Sequence, residues 1–355
     1  MKKSSQIFNG FIGTYTKGNS KGIYSFQLDS QTKEISTIQL AAELENPTYI
    51  TITEDQQFLY SVVKEGESGG VAAFRLGEEA AQLQELNRTL EIGASPCHVY
   101  TGPNQSVLAS NYHKGTVTYY KSKEDGSITA PLSVAKHEGS GPDPRQEKAH
   151  THYSGFTPDG KYIVVAELGI DQIITYQLVN DQLVEVTRLA TKPGSGPRHL
   201  TFHPKEPYAY VMTEFSSEVI VLKYNHTDGS FEQQQVISAL PNTFTENNQG
   251  SAIHLTSNGK FVYVANRGHD SIAVFEVNQE SFQLSLIEHI STEGNWPRDF
   301  MLDPTENFLV VANQNSSNLV LFSRDQTTGK LRLLQKDITV PDPVCVKFLN
   351  HSFKS

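Results

Sequence analysis

Six segments of this chain can be laid over one another, and that internal repetition constrains the fold more than any other feature. The segment HYSGFTPDGKYIVVAELGIDQIITYQL from His152 aligns with RHLTFHPKEPYAYVMTEFSSEVIVLKY from Arg198. SAIHLTSNGKFVYVANRGHDSIAVFEV from Ser251 and RDFMLDPTENFLVVANQNSSNLVLFSR from Arg298 follow the same pattern. Weaker copies start at Thr48 and Cys97, so the unit recurs every 46 to 55 residues. Each copy reads as a short strand, a polar turn, a longer apolar strand, a second turn and a third alternating strand. Segments such as LVEVTRLA and FQLSLIEHI supply a fourth. Val, Ile, Tyr and Phe fill these segments, and Gly, Asp, Asn and Pro bound them. No stretch has a sustained helical period. Four strands in a unit of this length is the pattern of a β-propeller blade.

The two chain ends hold the parts of a seventh unit. PVCVKF near the C-terminus reads as a lone first strand, and NGFIGTYTKGNSKGIYSFQL near the N-terminus as a blade lacking one. Pairing them closes the ring and removes the exposed edges that an open sheet would present. The expectation is an all-β, seven-bladed β-propeller closed by its N- and C-terminal strands, a single domain over residues 1–355. No linker or low-complexity stretch interrupts it. The longest irregular segment, KHEGSGPDPRQEK from Lys136 to Lys148, reads as a surface loop.

Composition narrows the partners. The formal charge of −10 argues against a phosphate-backbone binder, so no nucleic-acid partner is expected. Cys97 and Cys345 are too few for a disulfide framework or a four-thiolate zinc site. The opening Met-Lys-Lys-Ser-Ser-Gln leads into no apolar run of signal-peptide or membrane-span length. The expectation is therefore a cytoplasmic protein with no membrane partner, monomeric or homo-oligomeric.

In a propeller the start of each first strand and the end of each second strand lie at one mouth of the central channel. Aligning the copies places Thr48, Cys97, His152, Arg198, Ser251, Arg298 and Val344 at the first kind of position. Lys64, Leu168, Glu214, Arg267 and Gln314, with Tyr112 or His113, fall at the second. Folding needs only apolar and turn residues there, so Arg198, Arg267, Arg298, His152 and Glu214 call for another explanation. Three guanidiniums in one mouth of an acidic protein describe a receptor for a small anion. Either Glu214 or His152 has the chemistry of a general base. The competing account is a set of solvated loop charges or ion pairs between blades.

Other motifs carry less. His150 and His152 put two imidazoles on one strand face, a metal pair only if a third ligand joins them, and no spacing supplies one. Glu167 and Asp171 fit turn roles. Gly66-Glu67-Ser68-Gly69-Gly70 satisfies G-x-S-x-G, but the strand VAAFRL follows where a nucleophile elbow needs a helix. Gly194-Ser195-Gly196-Pro197 lacks the Lys-Ser/Thr and helix of a phosphate loop. No cofactor and no metal are expected.

GTYTKGNSKGIY, the GPRHLTFHP block running to Glu214, SNGKFVYVANRG and WPRDF together resemble the seven-bladed propeller lactonases, over essentially the whole chain. That family includes propeller-type 6-phosphogluconolactonases and fungal carboxymuconate-lactonizing enzymes. The resemblance implies metal-free hydrolysis of 6-phospho-D-glucono-1,5-lactone to 6-phosphogluconate in the pentose phosphate pathway. It places catalytic roles on His152, Glu214, Arg198 and Arg267. Arg298, His199 and His150 are the expected substrate-binding residues, Arg298 chiefly from its register. Two other readings stand beside this one. The same cup could close a carboxylate onto a double bond as a cycloisomerase, or the propeller could be a non-catalytic protein scaffold. Against the scaffold, the Gly-His and Trp-Asp blade signatures are absent.

Overall fold

Every repeat folds into a four-stranded antiparallel sheet, and seven such sheets form a ring. The structure, a computed structural model, describes residues 6–77 and 82–350. The first strands of blades 1 to 6 are Ile50–Ile52, His98–Thr101, Thr151–Phe156, Pro197–Phe202, Gln249–Leu255 and Pro297–Leu302. Blade 7 takes its first strand, Pro343–Phe348, from the C-terminus and its other three, Ile7–Thr14, Gly22–Asp29 and Glu34–Glu43, from the N-terminus. Pro343–Phe348 runs antiparallel to Ile7–Thr14, with Gly10 opposite Phe348 and Ile12 opposite Val346. Among the described residues the helical structure is one 3-10 turn, Leu168–Ile170, and no helix is long and apolar enough to cross a membrane.

The core is divided among the blade-to-blade interfaces. Val, Ile, Phe and Tyr from the second and third strands of one blade meet those of the next. Both chain ends join the interfaces that flank blade 7. Phe8, Phe26, Val346 and Phe348 pack on Phe308 and Val310 of blade 6. Phe11 and Cys345 pack on Leu59 and Phe74 of blade 1. The turn after a first strand recurs in kind: Thr53, Thr157 and Thr256 each donate a hydroxyl to Asp55, Asp159 or Asn258 two residues on.

The segment Lys136–Lys148 departs from the surface loop expected of it. Its middle is largely exposed, but His137 and Gln146 are buried, as are Ala149 and His150 just after it. Gln146 Nε2 donates to the Leu168 carbonyl at 2.7 Å, and His137 Nδ1 lies 2.7 Å from Glu167 Oε2. Glu167, fully buried, also accepts from the backbone N–H groups of His150 and Gly169. The loop is therefore tied to blade 3 through polar groups, which hydrophobic periodicity does not register.

Candidate active site

The mouth of the channel is shaped by one recurring irregularity. In blades 3, 4 and 6 the pairing of first and second strands slips by one residue, between Thr151 and Tyr153, Pro197 and His199, and Pro297 and Asp299. The extra residue in each case is His152, Arg198 or Arg298. A β-bulge frees its extra residue from the ladder and re-aims its side chain. The first-strand positions singled out in the sequence are thus bulge positions, whereas Glu214 and Arg267 come from the ends of second strands. Between these blades, a left-handed aspartate fixes the loop that leads into the next bulge. Asp171 (φ 55°) accepts from the N–H groups of Gly194 at 2.7 Å and Gly196 at 2.8 Å, just before Arg198. Asp270 (φ 52°) accepts from the Trp296 N–H at 2.8 Å, just before Arg298. The Gly194–Gly196 amides hold this carboxylate, so they form no phosphate loop.

These elements enclose a cup of about 490 Å³, a volume suited to a small metabolite. His152, Glu214, Arg267 and Arg298 line it, with Thr48, Lys64, Cys97, Tyr112 and His113. At its floor Glu214 Oε2 accepts from Arg198 Nε and from Arg267 Nη2, both at 2.9 Å. Arg267, the last residue of the second strand of blade 5, also donates to the Gly250 carbonyl at 2.9 Å. Its guanidinium lies 5.5 Å from the Trp296 ring. Arg198 is 2% exposed, and its Nη1 has no partner. Arg298 lies over the Tyr15 ring, 5.3 Å from its centroid, and Lys17 lies 5.1 Å from the same ring.

Electrostatics divides the roles. Burial pushes the Glu214 carboxyl up, but Arg267, Arg198 and Arg298 together pull it further down, so it stays ionised at neutral pH. Burial, with Arg198, Arg298 and Arg267, holds His152 well below the usual imidazole range, so it is neutral. Neither of its ring nitrogens has a hydrogen-bond partner among the described residues, and Nδ1 is buried. Burial and the two neighbouring guanidiniums pull Arg267 down to about 9, against the pull of Glu214, which leaves it a cation at pH 7. Burial raises the Cys97 thiol to about 11, so the one cysteine in the cup is no thiolate nucleophile. Three guanidiniums and one carboxylate give the floor and wall a formal charge of +2.

Two of the expected site residues lie elsewhere. His199 follows the bulge of blade 4, and the pleat turns it away from the cup, into the wall of the cavity at the other end of the channel. Its ring is 5.1 Å from that of His152. His150 stacks on Tyr112 at 4.0 Å, its Nδ1 donating to the Tyr112 carbonyl and its Nε2 3.0 Å from Glu147. It braces a cup residue without lining the cup. Leu168, Arg198, Ser251, Gln314 and Val344 share the register but not the lining, and Arg198 reaches the cup only through its ion pair with Glu214. Among the described residues no three His, Cys, Asp or Glu side chains converge where they could hold a metal ion. The register argument missed Tyr15, Lys17, Gln249 and Trp296, which also line the cup. The signal of Tyr15, Lys17 and Trp296 was present in GTYTK and WPRDF, but these three stand outside the strands, while Gln249 opens the first strand of blade 5, two residues before the aligned Ser251.

Comparison with known proteins agrees with this fold. The model of the seven-bladed β-propeller lactonase family matches residues 9–348. A 6-phosphogluconolactonase of Bacillus subtilis is 56% identical over 342 residues, 96% of this chain and 98% of that one. The crystal structure of a Lactobacillus plantarum protein superposes with a TM-score of 0.93 at 42% identity, covering 97% of this chain and 99% of that one. The Pseudomonas aeruginosa periplasmic gluconolactonase superposes with a TM-score of 0.92 at 30% identity, again covering 97% and 99%.

Proposed function

The chain belongs to the seven-bladed β-propeller lactonase family, and we propose that its cup hydrolyses 6-phospho-D-glucono-1,5-lactone to 6-phosphogluconate, a step of the pentose phosphate pathway. The observation that carries the reading is a neutral, unengaged imidazole beside two buried guanidiniums that share one oxygen of Glu214. The relative from Bacillus subtilis, similar over nearly the full length, supports the choice of lactone.

His152 is the general base. Glu214 has one oxygen committed to two guanidiniums, whereas His152 Nε2, which has no partner among the described residues, is available to a water molecule. The imidazole takes a proton from that water as its oxygen adds to the lactone carbonyl carbon. Negative charge then gathers on the carbonyl oxygen, where the guanidinium of Arg267, which lines the cup, is a ready donor. Collapse of the adduct breaks the bond from carbonyl carbon to ring oxygen. The imidazolium returns its proton to that oxygen, and the product acid ionises. Glu214 keeps the two guanidiniums together despite their repulsion. Arg298 and Lys17, both over the Tyr15 ring, receive the phosphate, whose charge of nearly −2 the cup offsets. A phosphorylated sugar does not cross a bilayer unaided, so the reaction belongs in the cytoplasm.

Acid release from the phosphorylated lactone by the purified protein, above the spontaneous rate, tests the activity. In His152→Gln, kcat should fall about a hundredfold or more with KM little changed, the usual size of a general-base contribution. An unchanged kcat would remove His152 from that role.

A further inference from the structure

We propose that the opposite end of the channel is a second binding site, for a small aromatic carboxylate, separate from the cup. It is a cavity of about 540 Å³ that shares no lining residue with the cup. The wall between them is a layer of rings, in which Tyr49, His98, Tyr153 and His199 lie 4.4 to 5.9 Å from one another.

Three observations define the occupant. Lys347, on the ring-closing strand, lines the cavity, and among the described residues no carboxylate lies within ion-pair distance of its ammonium. Its hydrogen-bond partner is the Tyr49 hydroxyl, at a long 3.5 Å. The nearby Asp299 is engaged by the Val346 N–H at 3.0 Å and by His254 at 3.4 Å. His98 and His199, 2% and 7% exposed, each carry a buried ring nitrogen without a partner in this wall. Such groups are costly unless something polar meets them. Beyond the lysine the lining turns aromatic, with Tyr100, Phe156, Phe202 and Phe348. One ammonium, with unpartnered imidazole nitrogens in the wall beside it, at one end of an aromatic slot matches a monoanion with a flat apolar body. The cup, with three guanidiniums, matches a more highly charged and hydroxylated ligand. The second site does not depend on the lactonase reading.

Calorimetric titration of the full chain with benzoate, while 6-phosphogluconate fills the cup, tests the proposal. One benzoate should bind per chain, with an affinity that 6-phosphogluconate does not alter. Lys347→Met removes the cation, and Thr201→Trp fills the cavity while leaving Lys347 in place. Each should weaken benzoate about tenfold or more, the scale of a lost charged hydrogen bond or a blocked slot. Inorganic phosphate should not displace benzoate. Displacement of benzoate by 6-phosphogluconate would assign it to the cup and overturn the proposal. So would equal affinity in both variants, or no saturable binding up to about 10 mM.

Discussion

Glu214 is the residue on which the cup's geometry converges. Two guanidiniums share its Oε2 at 2.9 Å in a buried setting, so its charge cancels repulsion that would otherwise push Arg198 and Arg267 apart. Glu214→Gln keeps the shape and removes the charge. Breaking a buried ion pair from one side costs about 3–5 kcal/mol, so the melting temperature should drop by several degrees. The turnover number should fall with it, because the oxyanion donor loses its anchor. A variant with unchanged melting temperature and kcat would show that the arginines hold their places without the carboxylate. Because the arginines lower its pKa, Glu214 stays ionised above the ordinary carboxylate range and its stabilisation is lost only as pH falls through that lowered value.

At the scale of strands, the blade count and the closure of the ring were legible in the sequence because periodicity and turn residues record them directly. The register of the mouth was legible too: His152, Arg198, Glu214, Arg267 and Arg298 were found by alignment alone. What alignment could not show was the bulge. The slip between Pro197 and His199 places Arg198 against Glu214 behind the cup, so the pleat turns His199 to the opposite cavity, and adjacent residues in a sequence motif part company. Tyr15, Lys17 and Trp296 escaped for a related reason. They sit outside the strands, and contacts such as Trp296 N–H to Asp270 and Tyr15 N–H to the Asp342 carbonyl are not encoded by a strand period. The closure itself predicts a strong phenotype. Removal of residues from Pro341 onward deletes the strand Pro343–Phe348, strips its ladder from Ile7–Thr14 and opens two apolar interfaces. That truncation should aggregate or lose cooperative unfolding. Light scattering and thermal melts check this, and a truncated chain that melts with the full-length one would refute the closure.

The molecule as a whole combines a net charge of −10 with a cationic cup and a ring of buried imidazoles. His98, His152 and His199 are all held well below the usual imidazole range, chiefly by burial and by neighbouring cations. The unfolded chain takes up their protons near pH 6.5, while the folded chain resists them. Stability should therefore fall as pH drops below about 6.5, by up to about 1.4 kcal/mol per pH unit for each residue until its folded pKa is reached. Urea midpoints at about pH 7.5, 6 and 5 would show the decline, and a flat profile would contradict it. The account's central claim is that the cup is a lactonase site built for a phosphorylated substrate. Its most direct test compares kcat/KM for 6-phospho-D-glucono-1,5-lactone and unphosphorylated glucono-1,5-lactone in the wild type and in Arg298→Met. The wild type should prefer the phosphorylated lactone about tenfold or more through KM, and Arg298→Met should lose most of that preference while retaining kcat on the unphosphorylated one. No hydrolysis above the spontaneous rate, or an equal preference in both proteins, would contradict the claim.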